Sequence, residues 1–169
     1  ALWIATLENI DWPSTSRIST TQQKREIMEL LNLVKASNLN TVVFQIRTAA
    51  DAFYDSAYEP WSKWLTGQQG RAPEPFYDPL KFIINECRKR GLDVHAWINP
   101  YRAVKDTGKH KAIHGHITHR HPEWFVTYGP TVYFDPALPE VRDYVSRIGS
   151  DVVRRYDVDA IHMDDYFYP

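Results

Sequence analysis

Two adjacent aspartates, Asp164 and Asp165, stand directly after the apolar run Asp159 to Met163. A carboxylate at a strand end suits glycoside hydrolysis, in which one carboxyl group acts as acid and a second as nucleophile or base. Side chains alternate along a strand, so parity sorts the neighbours of these aspartates. His162 shares a face with Asp164, while Asp165 falls just past the strand and can turn either way. In the run 92–98, His95 and Trp97 share a face with the following Asn99; in 41–47, Val43, Gln45 and Arg47 do so. Each strand therefore has one face that turns polar toward its carboxyl end, which sets His162, Asn99 and Arg47 around Asp164. Consecutive aspartates on a strand point to opposite faces, so one can be catalytic while the other binds substrate or caps a helix. The pair also reads as a plain strand end that caps the next helix.

Further polar and aromatic residues follow the strand ends: Arg47 and Asp51 after the second, Asn99, Tyr101 and Arg102 after the third, and Tyr166 after the aspartates. Planar hydrogen-bonding groups suit sugar hydroxyls, and flat apolar rings suit pyranose faces, in a hydrolase or equally in a carbohydrate-binding barrel fragment without catalysis. Arg47 and Asp51 read equally as a pair that scaffolds their loop. Trp61 and Trp64 are either stacking platforms or pins that hold the loop down. His95, His162 and Asp164 also make a His/carboxylate set, the pattern of a metal-dependent hydrolase or deacetylase. The segment 110–121 contains His110, His114, His116, His119 and His121, but Lys109, Lys111 and Arg120 surround them and no carboxylate lies among them. It reads as a solvated loop, and no metal or cofactor is expected.

The elements that must position these residues alternate. Residues 2–7 read as a strand. A capping-box signature at Thr20 and Gln23 opens a helix along Ile27, Leu30, Leu31 and Val34, which stops at Asn38. Residues 41–46 form a second, β-branched strand. Asp78-Pro79 opens a helix whose stripe is Leu80, Ile83, Ile84 and Cys87, closed by Gly91. Residues 92–98 form a third strand. Pro139 opens a third helix with inner face Val141, Val145, Ile148, Val152 and Val153, before the strand 159–163. Four strands joined by helical crossovers imply parallel pairing. The connections at 47–77 and 99–138 are long and leave the carboxyl ends of strands, where α/β folds place their sites.

The 169 residues suffice for one domain with a core, 43% of them hydrophobic and 24% charged. The net charge of −1 is scattered and gives no footprint for nucleic acid. Cys87, the single cysteine, excludes an internal disulfide and is expected as a buried thiol. No run approaches a membrane span. Aromatic residues reach 14%, and Trp12, Trp61, Trp64 and Trp124 all fall in segments read as loops, where core burial is the weaker explanation.

Several segments, in order and nearly end to end, resemble the glycosyl hydrolase-like 10 family of bacteria. They include Trp3-Ile4-Ala5-Thr6, Asn9-Ile10-Asp11-Trp12-Pro13-Ser14, Thr41-Val42-Val43-Phe44-Gln45-Ile46-Arg47 and Glu59-Pro60-Trp61-Ser62. Val94-His95-Ala96-Trp97-Ile98-Asn99-Pro100-Tyr101-Arg102 and the closing Ile161-His162-Met163-Asp164-Asp165-Tyr166-Phe167-Tyr168-Pro169 are similar too. The resemblance implies an α/β fold, a (β/α)8 TIM barrel of which this chain supplies roughly the first four units. It implies hydrolysis of a cell-wall or exported polysaccharide outside the cytoplasm, with an oligosaccharide or polysaccharide as partner. The last strand is also similar to those of α-amylase and α-galactosidase barrels, which implies Asp164 as nucleophile, with His162 at the basic position before it. Four strands do not close a barrel, so the expectation is a fragment, inactive alone, whose open edges invite self-association; a doubly wound open sheet is the other geometry.

Overall fold

In the computed structural model, which describes residues 1–109 and 111–164, the chain begins with β1 (Leu2–Ile4), a 3-10 turn at Leu7–Asn9, α1 (Thr20–Ala36) and β2 (Thr41–Arg47). Next come α2 (Lys63–Thr66), α3 (Pro79–Arg88), β3 (Asp93–Ile98), β4 (Arg102–Val104) and α4 (Ile117–Arg120). A 3-10 turn at Pro122–Trp124, β5 (Phe125–Tyr128), β6 (Thr131–Phe134), α5 (Pro139–Arg155) and β7 (Ala160–Met163) complete it. The fold is α/β: β1, β2, β3 and β7 pair in that order, all parallel.

One face of this sheet carries Val42, Phe44, Ile46, Val94, Ala96 and Ile98, all fully buried. Against them pack Ile27, Leu31 and Val34 of α1 and Leu80, Ile83, Ile84 and Cys87 of α3. Cys87 is buried as expected, and burial raises its thiol to about 12, which leaves it inert. The opposite face is concave. The Trp3 ring on β1 lies 4.9 Å from Trp97 on β3 and 4.4 Å from His162 on β7. In a flat sheet strands three positions apart are about 14 Å apart, so these edge-on contacts require the sheet to curl around its Trp3–Trp97–His162 face. Among the described residues β1 and β7 are the outer strands, and Met163 of β7 is exposed.

Several local expectations need correction. β1 stops at Ile4, because Thr6 is helical (φ −104, ψ −16) and Glu8 takes φ 54, which turns the chain away. The cap of α1 sits one residue earlier: Ser19 accepts from the backbone N–H of Gln22. Gln23 is thereby released to the core, where its Nε2 donates to Leu65 O and its Oε1 accepts from Tyr77 Oη. Trp12 is a core residue, its indole N–H donating to Gln23 O (2.9 Å) and its ring meeting Phe44. On α5, Tyr144 joins the buried stripe and Val153 faces outward, one step past the edge of the apolar arc.

The second long connection is not irregular. β4, β6 and β5 make a small antiparallel sheet over a second apolar cluster that includes Phe134, Val141, Tyr144 and Ile148. The signal was present: two short runs of β-branched and aromatic residues flank Gly129-Pro130, and Gly129 supplies the positive φ (57°) of a two-residue hairpin turn.

Candidate functional site

The carboxyl ends of the parallel strands surround a cleft lined by Ala5, Gln45, Trp97, Asn99, Arg102 and Asp164. Asp164 is exposed there, one residue beyond β7. Its backbone carbonyl accepts from Asn99 Nδ2 and, at 3.4 Å, from Trp97 Nε1. Gln45 ties this arrangement to β1: its Oε1 accepts the backbone N–H groups of Thr6 (2.8 Å) and Leu7 (3.0 Å), and its Nε2 donates to Asn99 Oδ1 (2.6 Å). Of the residues expected at a site, Asn99, Arg102 and Asp164 are therefore brought together. Asp165 and Tyr166 lie outside the described residues.

Arg47 is not in this cleft. The β2–β3 register shifts between Gln45 and Arg47, so that Gln45 opposes Trp97 while Arg47 opposes Ile98. The bulge carries Arg47 off the Gln45 face and defeats the parity argument. The guanidinium, 0% exposed, makes a two-pronged pair with Glu59, Nε to Oε2 at 2.7 Å and Nη2 to Oε1 at 2.6 Å. Its Nη1 donates to the carbonyls of Asn99 and Pro100. Burial opposes the charge, but the Glu59 carboxylate outweighs it and holds the Arg47 pKa above its ordinary value. Tyr144 Oη adds a long contact to Glu59 at 3.4 Å. Arg47 thus braces the turn after β3, and its loop partner is Glu59, not Asp51.

Asp51 is also buried. It accepts from Thr48 Oγ1 (2.8 Å) and the backbone N–H of Ala49 (3.3 Å), and burial pushes its carboxyl upward against these hydrogen bonds. It borders a smaller pocket with Lys63, Trp64, Lys105 and His116. Trp61 packs on the core with Phe76 against its ring, and Gly70 N–H donates to its carbonyl, so it pins the first loop. Trp64 also packs partly on the core, with Lys63 Nζ 4.4 Å over its ring. Tyr101 lies apart from the cleft, beside Pro136, Arg142 and Met163.

The histidines divide. His162 faces Trp3 one step below the cleft, and His95 sits two residues lower still, opposite Ala160. Among the described residues no group of three metal-binding side chains converges, which overturns the metal reading of His95, His162 and Asp164. The solvated-loop reading of 110–121 fails at His116. That ring is buried, with Nε2 3.1 Å from Ala50 O and Nδ1 2.8 Å from Thr118 Oγ1. Nδ1 also accepts from the Thr118 backbone N–H, so Nε2 carries the proton and donates to Ala50. Burial lowers this histidine to about 4. Glu59 and His116 were not singled out by sequence as partners, since Glu59 meets Arg47 twelve residues away with no periodicity between them and His116 meets Ala50 in the other long connection. Gln45 was marked only by its parity.

A model of the family described as glycosyl hydrolase-like 10 matches residues 1–169. The chain is 49% identical over 170 residues to glycosyl hydrolase YngK of Bacillus subtilis strain 168, covering 100% of this chain and 33% of that protein. It is 35% identical over 183 residues to glycosyl hydrolase DigH of Escherichia coli K12, covering 99% of this chain and 41% of the relative. The chain thus spans less than half the length of these relatives. Among solved structures it is similar to the noncanonic maltogenic alpha-amylase AmyB of Thermotoga neapolitana. The TM-score is 0.56 at 16% identity over 88% of this chain and 36% of that one, a likeness of fold alone.

Proposed function

The chain belongs to the glycosyl hydrolase-like 10 family, and from that premise we propose that the whole protein hydrolyses glycosidic bonds in a bacterial cell-wall or exported polysaccharide, outside the cytoplasm. The barrel is a (β/α)8 barrel of which these residues supply the first four units. The observation that carries this reading is the exposed Asp164 at the rim of a strand-end cleft that also holds Arg102 and Trp97.

In this reading Asp164 opposes the positive charge that develops at the anomeric carbon, as nucleophile or as base for water. The proton for the leaving oxygen comes from a second carboxyl group on a later strand of the barrel, so the first four units alone do not turn over substrate. Asp165 is the alternative for the role given to Asp164. Arg102 and the Trp97 ring contact the sugar, with Tyr166 as a further platform.

The test is hydrolysis of a panel of bacterial and plant glycans by the full-length protein and its Asp164→Asn variant. Turnover on cell-wall polysaccharide, reduced about 1,000-fold or more by the substitution, is expected; about 4 kcal/mol of barrier corresponds to that factor. Full activity in the variant would move the chemistry away from Asp164, and no turnover on any glycan would end the glycosidase reading.

A further inference from the structure

We propose that Gln45 and Asn99 form a polarised amide ladder that holds the Asp164 end of β7, which makes them positioning residues rather than sugar ligands. The inference rests on the reading of Asp164 given above.

The direction of the ladder follows from donors that cannot be reversed. The backbone N–H groups of Thr6 and Leu7 can only donate, and both point at one end of the Gln45 amide. That end must be the oxygen. The Gln45 nitrogen is then the end that meets Asn99, whose oxygen must face it. What remains of the Asn99 amide is its nitrogen, aimed at the carbonyl of Asp164. The orientation of two side-chain amides, usually an assignment between look-alike atoms, is here dictated by main chain at the end of β1. Four strand ends are joined in one chain of donors and acceptors. Gln45 and Asn99 are each 2% exposed, so a reversed amide would face oxygen to oxygen without water to relieve it.

Asn99 is held a second way. Its own N–H donates to Arg47 O (3.0 Å), and its carbonyl accepts from the Arg47 guanidinium. The buried Arg47–Glu59 pair thereby fixes the Asn99 backbone while Gln45 fixes its side chain. The main-chain oxygen of Asp164 is occupied by Asn99 and Trp97, and the exposed residue lines the cleft. Near-full burial and a hydrogen bond to each neighbouring strand leave Asn99 little to offer a sugar.

The experiment uses the full-length protein, purified bacterial cell-wall polysaccharide, and the near-isosteric variants Gln45→Glu and Asn99→Asp. Gln45→Glu keeps the acceptor for Thr6 and Leu7 but sets an oxygen against Asn99, which drives that amide to rotate and withdraw its donor from Asp164. Asn99→Asp removes the donor directly. Expected for both is a kcat about 10- to 100-fold lower, the scale of a small misplacement of a reacting group, with KM changed by less than about threefold. A carboxyl buried at either position costs stability whatever its volume, so an unfolding midpoint several degrees below the parent's is expected, and both constants are read well below it. A raised KM at unchanged kcat in Asn99→Asp would identify a sugar ligand and overturn the ladder, as would no change in either constant, or a midpoint collapse that accounts for the lost activity. In the Asp164→Asn background the Asn99→Asp loss should not add, because both act through one group; additive losses would overturn the ladder while leaving Asp164 catalytic. A fully active Asp164→Asn single variant would instead remove the catalytic reading of Asp164, and the ladder's part in turnover with it.

Discussion

Gln45 and Arg47 stand two residues apart on β2 and serve two different regions. Gln45 faces the concave side and belongs to the cleft over Asp164, where polar and apolar side chains mix and the end residue is open to solvent. Arg47 belongs to a dry knot behind it, with Glu59, Tyr144 and the nearby Asp51 and His116 all buried. Both regions are rich in ionisable groups at strand ends, yet one presents charge and the other consumes it internally. Polarity at a strand end is thus a poor guide to chemistry until the partners are known. An ion pair closed on itself scaffolds, whereas an exposed carboxylate on a fixed backbone is available to react.

This contrast can be broken from the knot side, where substitutions should cost stability before anything else. Arg47→Met is expected to have the largest effect, about 3–5 kcal/mol, because it leaves the Glu59 carboxylate buried without its counter-charge. A urea unfolding curve of the full-length variant checks this. A loss under 1 kcal/mol would mean that water reaches Glu59 and that the knot is not dry.

Acid sharpens the same comparison at His116. Its pKa falls from 6.5 in the unfolded chain to about 4 in the folded one, so the unfolded state takes up a proton first. Stability should therefore be present above about pH 6.5, decline as pH falls, and level off near pH 4, a loss of about 3 kcal/mol at most. Unfolding midpoints between pH 7 and 4 should drop less steeply in His116→Gln than in the parent. Equal slopes would sink the claim that this ring links the first loop to the second. Tyr144→Phe should have the smallest effect, about 1 kcal/mol or less, since it removes one long 3.4 Å hydrogen bond from Glu59. A measured loss of 3 kcal/mol would show that the hydroxyl, rather than Arg47, holds Glu59 in place.

The parallel α/β sheet and its three long helices were legible in the residue order alone. Apolar periodicity, the Asp78-Pro79 start and the positive φ at Asn38 and Gly91 are local signals, and local signals survive in a single chain read alone. The same order located Asn99, Arg102 and Asp164 at one rim, because parallel strands bring their carboxyl ends together whatever the loops do. Tertiary structure decided which strand-end residues remain available. One extra residue in β2 sent Arg47 away from its expected face, and its partner Glu59 came from a loop without periodicity. His116, one of five histidines in a biased stretch, was singled out only by the carbonyl of Ala50, 66 positions earlier. Such contacts join residues far apart in the chain, and neither propensity nor spacing encodes them. They exist only once the loops have packed and water has left.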